Sequence, residues 1–249
     1  MSFVIKAERS IIPACDVSTL EDFRKLVRAT HDVEGISAYK VGFDLGLGHG
    51  LPAVVGVVRE FTDLPVIYDH QKAGTDIPDT GKNFARRMKT SGVNAAILFP
   101  QAGPATEEEW IKALQAAGVG VIVGGEMTHP EYLEPEGGYI AETAPQQMYR
   151  IATRKGVRSF VVPGNKPEKV AGYRALLEEA CDGQVELMAP GFVKQKGKIE
   201  DTAKAAGDRW HAIVGSGIYA PGGAKDPSKV AEEDIHTAAK ELCETIRGA

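Results

Sequence analysis

The sequence predicts a single (β/α)8 barrel spanning residues 1–249, and three observations predict it. Short apolar runs alternate with helix-period segments from one end of the chain to the other. Eight such pairs can be counted, and eight in this length favour a closed barrel over a doubly wound open sheet, which usually has fewer strands. Glycines stand just past the helical patterns, where a chain leaving a helix favours a left-handed residue.

Taken in order, the candidate strands are 10–16 (SIIPACD), 37–43 (SAYKVGF), 65–70 (PVIYDH), 94–99 (NAAILF), 120–125 (GVIVGG), 159–163 (SFVVP), 186–189 (ELMA) and 211–215 (HAIVG). They are short and apolar throughout, as strands buried on both faces should be. Helical stripes lie between them. Leu20, Phe23, Leu26 and Val27 share a face over 19–29, as do Val170, Tyr173, Leu176 and Leu177 over 166–180. Val230, Ile235, Ala238, Leu242 and Ile246 do the same over 227–246. Gly92, Gly118, Gly156 and Gly207 follow helical patterns. Pro13 is the one local objection, since a proline inside a strand forfeits a ladder bond. No Pro/Ser-rich linker divides the chain, which predicts one domain.

Composition narrows the function classes. With 43% hydrophobic and 25% charged residues the chain is ordinary for a globular domain. A net charge of −5 and no basic stripe argue against a nucleic-acid binder, while a small anionic substrate stays compatible with a locally basic site. Cys15, Cys181 and Cys243 are odd in number and widely spaced, so neither a zinc pattern nor a disulfide framework fits, and a reducing cytoplasm is expected. The opening MSFVIKAERS lacks an apolar run of signal-peptide length, and nothing approaches the roughly 20 apolar residues of a spanning helix.

A barrel carries its chemistry at the C-terminal ends of its strands. Those ends hold Asp16, Lys40, Asp69, Lys72, Glu126, Thr128, Gly164, Gly191 and Gly215. The stretch 65–80, PVIYDHQKAGTDIPDT, is the most informative: an apolar strand runs into Asp69, His70, Gln71 and Lys72, and Asp76 precedes an Ile-Pro helix opening. With Lys40 on the neighbouring strand end, two lysines and two aspartates converge on one rim. Alternating charges keep the lysines protonated, and a protonated lysine beside a substrate carbon is a general acid. Each residue also has a structural reading: Asp76 as a helix cap, Lys40 as a rim salt bridge, Asp69 and Lys72 as an ion pair.

In this arrangement the chain resembles the orotidine 5′-phosphate decarboxylase family. The resemblance runs through Asp16; Tyr39-Lys40-Val41-Gly42; Asp69, Lys72 and Asp76-Ile77-Pro78-Asp79-Thr80; Glu126-Met127-Thr128-His129-Pro130; Pro190-Gly191 with Gln195; and Val214-Gly215 with Ile218-Tyr219. It implies cofactor- and metal-independent conversion of orotidine 5′-phosphate to uridine 5′-phosphate, a step of de novo pyrimidine biosynthesis. Lys72 would deliver the proton to C6, Asp69 would face the substrate carboxylate, and Lys40 and Asp69 would hold the charged array. Asp76 would come from the partner of a homodimer, with Thr80 near the ribose. Asp16 would bind ribose hydroxyls, Thr128 the pyrimidine edge and Gln195 the phosphate. Gly191, Gly215, Ser216 and Gly217 would also line the substrate site, and backbone N–H groups around Gly215, Gly217 and Gly222 could bind phosphate as an anion nest.

The chain departs from that pattern at three places. The usual Asp-x-Lys-x-x-Asp spacing is here Asp69-x-x-Lys72-x-x-x-Asp76. Residues three apart do not share a strand face, so Asp69 and Lys72 meet only if the strand ends early or bulges, and His70 is the alternative occupant of the acid's place. Where the family carries a phosphate-gripping arginine, this chain has Ser216, with Lys194, Lys196 and Lys198 in a nearby loop as candidate replacements. Residues 131–143 (EYLEPEGGYIAET) make a longer connection than a barrel needs.

Two rival functions remain open at this level. A magnesium-dependent sugar-phosphate decarboxylase or aldolase would place glutamate, not Lys40, at the second strand end. A non-catalytic barrel binding a nucleotide phosphate is the other. His31, His49, His129, His211 and His236 show no metal-ligand spacing. Gly46, Gly48 and Gly50 read as a loop, Gly137-Gly138 and Gly222-Gly223 as turns, and Glu107–Glu109 as the acidic first turn of a helix.

Overall fold

The computed structural model describes residues 3–70, 74–192 and 197–249. Its strands are β1 (Arg9–Pro13), β2 (Tyr39–Val41), β3 (Val66–Asp69), β4 (Ala95–Leu98), β5 (Gly120–Gly124), β6 (Ser159–Val161), β7 (Glu186–Pro190) and β8 (Trp210–Val214). They form one parallel sheet in the order β1-β8-β7-β6-β5-β4-β3-β2. Isolated bridges Ile11↔Ile36 and Ala14↔Lys40 join β1 to the β2 side, so the sheet closes into a barrel. That seam accommodates Pro13. The Ile11 and Cys15 N–H groups point toward the β2 side, onto the Gly35 and Lys40 carbonyls, while the Ala14 N–H bonds Val214 across β8. By alternation the nitrogen of Pro13 faces the interrupted seam, where the lost donor costs little. The regular ladder of β1 therefore stops at Pro13, and Ala14–Asp16 continue as rim, shorter than the expected 10–16.

Strand alternation sorts the apolar residues into two cores. Ile12, Ile67, Ile97, Ile122, Met188 and Ile213 fill the barrel interior. Their neighbours Ile11, Tyr68, Leu98, Val123, Leu187 and Val214 face outward, into the layer between sheet and helices. The helices are α1 (Leu20–Thr30), α2 (Phe43–His49), α3 (Leu51–Arg59), α4 (Gly81–Ser91), α5 (Pro104–Ala117), α6 (Ala144–Arg154), α7 (Pro167–Ala180), α8 (Ile199–Ala206), α9 (Ser216–Tyr219) and α10 (Glu232–Gly248). The α1 stripe buries Phe23, Leu26 and Val27, and Thr19 caps it by accepting from the Asp22 N–H at 3.0 Å. Gly92, Gly118, Gly156 and Gly207 all leave their helices with positive φ.

Three expectations need correction. Gly46 and Gly48 lie in α2, not a loop; Gly46 packs so close to Tyr68 that a Cβ there would sit 3.1 Å from the ring. The last helix starts at Glu232, because Pro227–Lys229 form a separate 3-10 turn whose carbonyls, with that of Val230, are gathered by Lys25 Nζ at 2.8–3.1 Å. Asp76 does not cap a helix. Ile77 holds the cap position of a 3-10 turn over Pro78–Thr80, and Asp76 Oδ1 accepts the Ile77 N–H at 2.7 Å.

The floor of the barrel is polar. Glu186, fully buried, accepts from Ser159 Oγ at 2.5 Å and from the backbone N–H groups of Val4 and Ile5 at 3.1 and 2.9 Å. The chain before β1 is thereby tied across the bottom, and any access to the interior lies at the opposite end. Among the described residues no helix is long and apolar enough to cross a membrane.

Candidate active site

At the C-terminal ends of the strands the barrel opens into a cavity of about 930 Å3, counting the space at its mouth. Lys40, Asp16 and Asp69 stand on one side, Glu126, Met127 and Thr128 after β5 form the wall opposite in chain order, and Gly191, Gly215, Ser216 and Tyr219 flank the mouth. Ile97, Phe99, Val161 and Ile213 supply an apolar floor.

The charged side begins with strand parity. Lys40 and Ile67 are cross-strand partners, and Asp69 lies two residues on from Ile67, on the interior face. Lys40 Nζ donates to Asp69 Oδ2 at 2.9 Å and lies 3.9 Å from Asp16 Oδ1. Lys40 is 8% and Asp69 3% exposed, so this is a buried pair, whereas the Asp16 side chain is 55% exposed at the mouth. Burial alone would pull the Lys40 pKa down, but the carboxylates of Asp69 and Asp16 outweigh it and hold the ammonium above its ordinary range. The site thus keeps a permanent cation between two acids. The Tyr219 phenol at the cavity mouth is pushed up by burial and then by the Asp16 charge, which keeps it a neutral donor.

His70 does not share this face. It points outward with Tyr68, whose hydroxyl is hydrogen-bonded to His70 Nδ1. Of the two candidates for the third-strand acid position, Asp69 is the one that enters the cavity. Burial raises the Tyr68 phenol to about 12, so this contact is made by an uncharged hydroxyl.

Thr128 lines the cavity, and its carbonyl is held at 3.0 Å by Asn165 Nδ2. Gly191 has φ 110, and a Cβ there would meet Thr128 and Asn165 at 3.1–3.3 Å, so glycine lets these loops close together. Gly215 and Ser216 line the cavity at the β8 end; Gly217 follows in α9. Asp76 and Thr80 are not among the lining residues. Asp76 is exposed, and Thr80 Oγ1 donates to the Ile77 carbonyl at 2.8 Å. Lys72, Gln195, Lys194 and Lys196 lie outside the described residues. Lys198 is exposed at the start of α8 and does not line the cavity.

Several lining residues were not singled out as site residues from the sequence. Phe99 was recoverable, since it stands two beyond inward-facing Ile97. Glu126, 1% exposed, was visible as a charge on a strand end, but its partners, Lys166 and Tyr173, come from the next unit and carry no local signal. Among the described residues no group of three or more His, Cys, Asp or Glu side chains is arranged to hold a metal ion.

The geometry can be set beside known proteins. A family model described as "Orotidine 5'-phosphate decarboxylase / HUMPS family" matches residues 9–233. An orotidine 5′-phosphate decarboxylase of Methanosarcina barkeri is 32% identical over 84% of this chain and 86% of its own. The solved orotidine 5′-phosphate decarboxylase of Pyrococcus horikoshii superposes with a TM-score of 0.75 at 27% identity, covering 96% of this chain and all of that one. The Methanocaldococcus jannaschii orotidine 5′-monophosphate decarboxylase, solved with the inhibitor BMP, reaches a TM-score of 0.78 at 22% identity, covering 96% and 99%; at that identity the likeness is one of fold.

Proposed function

The chain belongs to the orotidine 5′-phosphate decarboxylase / HUMPS family, and from that premise we propose that it decarboxylates orotidine 5′-phosphate to uridine 5′-phosphate in cytoplasmic pyrimidine biosynthesis. The observation that carries the reading is the buried cation of Lys40 fixed between Asp69 and Asp16 at the mouth of the barrel. The magnesium-dependent relatives would want a carboxylate at that strand position, and the ammonium there speaks against them.

In this reading the C6–carboxylate bond breaks, carbon dioxide departs, and the electron pair stays on C6. Lys72, three residues beyond Asp69, gives its ammonium proton to C6, forms the C6–H bond and is reprotonated from solvent. Lys40 and Asp69 contribute a preorganised field, so little reorientation is needed as the carbanion forms. Asp16 takes ribose hydroxyls, Thr128 the pyrimidine edge, and Gln195 with the backbone of Gly191, Gly215, Ser216 and Gly217 the phosphate. Binding energy from that remote group helps organise the reacting end. Asp76 and Thr80 act in the site of a second subunit. Their place outside this chain's own cavity supports that assignment.

The test is the ultraviolet absorbance of orotidine 5′-phosphate incubated with purified protein, with and without EDTA. Loss of absorbance unaffected by the chelator is expected. Binding without turnover would support a non-catalytic barrel, and chelator-sensitive turnover the metal-dependent relatives.

A further inference from the structure

The wall after β5 is held from behind by two consecutive residues of the next unit. Asn165 Nδ2 holds the Thr128 carbonyl at 3.0 Å, and Lys166 Nζ donates to Glu126 Oε1 at 2.8 Å. The second oxygen of Glu126 accepts from the Tyr173 hydroxyl. The Glu126 side chain is wholly buried, and that of Lys166 is 17% exposed. Lys166 has a second partner, Glu136 Oε1 at 2.9 Å, in the 3-10 turn Glu134–Glu136 of the long connection over residues 131–143. One ammonium thus ties the cavity wall to the excursion outside it. Burial works against the Lys166 charge, but the two carboxylates outweigh it and raise its pKa, so the tie persists at neutral pH.

We propose that Lys166 is a positioning residue that fixes Glu126-Met127-Thr128 against the base of the bound nucleotide and ties the 131–143 excursion to that wall. It touches no reacting atom and works through Glu126. The rest of the loop is built to hold it in place. Thr202 Oγ1 donates to the Gly164 carbonyl at 2.7 Å, and Gly164 has backbone where a Cβ would go, 2.7 Å from the Pro190 carbonyl. Without Lys166 the buried Glu126 carboxylate loses its counter-charge and must take up a proton or turn outward, and either moves Thr128.

The proposal rests on the decarboxylase reading, so the experiment separates the two. Inhibition constants of uridine 5′-phosphate and of ribose 5-phosphate, which lacks the base, are measured on the unaltered protein and on Lys166→Met, with melting temperature followed in parallel. For Lys166→Met the inhibition constant of the nucleotide and the KM of orotidine 5′-phosphate are expected to rise about tenfold, the equivalent of one good contact. That of ribose 5-phosphate should stay within about twofold, because in the proposed reading Thr128 meets the base and not the sugar phosphate. Lys166→Arg should restore nucleotide binding, and Glu136→Ala, which removes only the outer half of the tie, should have a smaller effect. Equal weakening of both ligands, or of neither, overturns the proposal. If Lys166→Met does not fold, Lys166→Gln, which leaves Glu126 a donor, makes the same comparison. Absence of turnover by the unaltered protein overturns the decarboxylase reading and this inference with it.

Discussion

Glu107 shows how a single side chain can carry a pH dependence unrelated to the reaction. It belongs to an acidic run whose sequence reading is a solvated first turn of a helix, and α5 does begin at Pro104. Glu108 behaves accordingly, pairing with Lys155 at the surface. Glu107, by contrast, shares a face with Ile111 and Leu114 and is 1% exposed. Burial pushes its pKa up to about 8 against a partial pull from Arg154. The sign of the linkage follows from that direction. The unfolded chain loses this proton near its ordinary value of about 4.3, while the folded chain keeps it to about 8. Stability is therefore fully present below about pH 4, falls across the window between the two values by up to about 1.4 kcal/mol per pH unit, and is level above it. Glu107→Gln should remove that slope and leave the protein more stable than the parent at pH 8, as read from urea midpoints at several pH values. Parallel pH profiles for the two proteins would show that Glu107 is ionised in the fold. Lys40→Met works the other way. It removes one buried counter-charge of Asp69, so stability should fall at neutral pH, by up to about 3–5 kcal/mol. A loss under about 1 kcal/mol would show that the Lys40–Asp69 pair contributes little to the fold.

At the scale of elements, the strands were legible because each is a short apolar run that alternation divides between two cores. Their ends were less legible. The first run reads through to Asp16, yet the ladder stops at Pro13, because the β1–β2 seam is made by isolated bridges rather than a continuous pairing. The α2 helix was hidden by Gly46, Gly48 and Gly50, which individually disfavour a helix; packing of Gly46 against Tyr68 overrides that preference. The choice between Asp69 and His70 was open in the sequence because the spacing to Lys72 is irregular, and it follows from the parity of β3 once the strand's register is known. A similar register argument gives a prediction for β5. Gly124 faces the interior, and a Cβ there would lie 2.2 Å from Cζ of Phe99, whose ring helps form the cavity floor. Gly124→Ala must displace that ring, at a cost of about 1–3 kcal/mol by the usual penalty for overpacking. The urea midpoint should fall, and KM should rise as the ring moves into the space for substrate. An unchanged KM with lowered stability would mean that the ring moves away from the cavity.

For the whole molecule, the sequence placed Lys40, Asp69, Asp16 and Thr128 on strand ends that one barrel mouth brings together, and the structure brings them there. Asp76 and Thr80 follow the same strand but stay outside the cavity, which the spacing along the chain does not reveal. In a two-fold dimer each interface residue is presented to the partner as the partner's is presented back, so Asp76 of one subunit and Lys72 of the other would meet in each site. Inactivating changes then become complementary. Lys72→Ala and Asp76→Ala homodimers should each be nearly inactive. In a hybrid, one site receives both changes and the other receives neither. Random reassociation makes half of the dimers hybrid with one intact site of two, so about a quarter of the parent activity per site should return. The measurement is turnover after the two variants are unfolded and refolded together, with hybrid formation verified by a charge tag on one variant. Hybrids that form without recovering activity would place Asp76 in the same site as its own Lys72, or outside the chemistry altogether. Recovery near a quarter would locate the missing acid on the neighbouring subunit and explain why its carboxylate, in the isolated chain, rests on the Ile77 N–H.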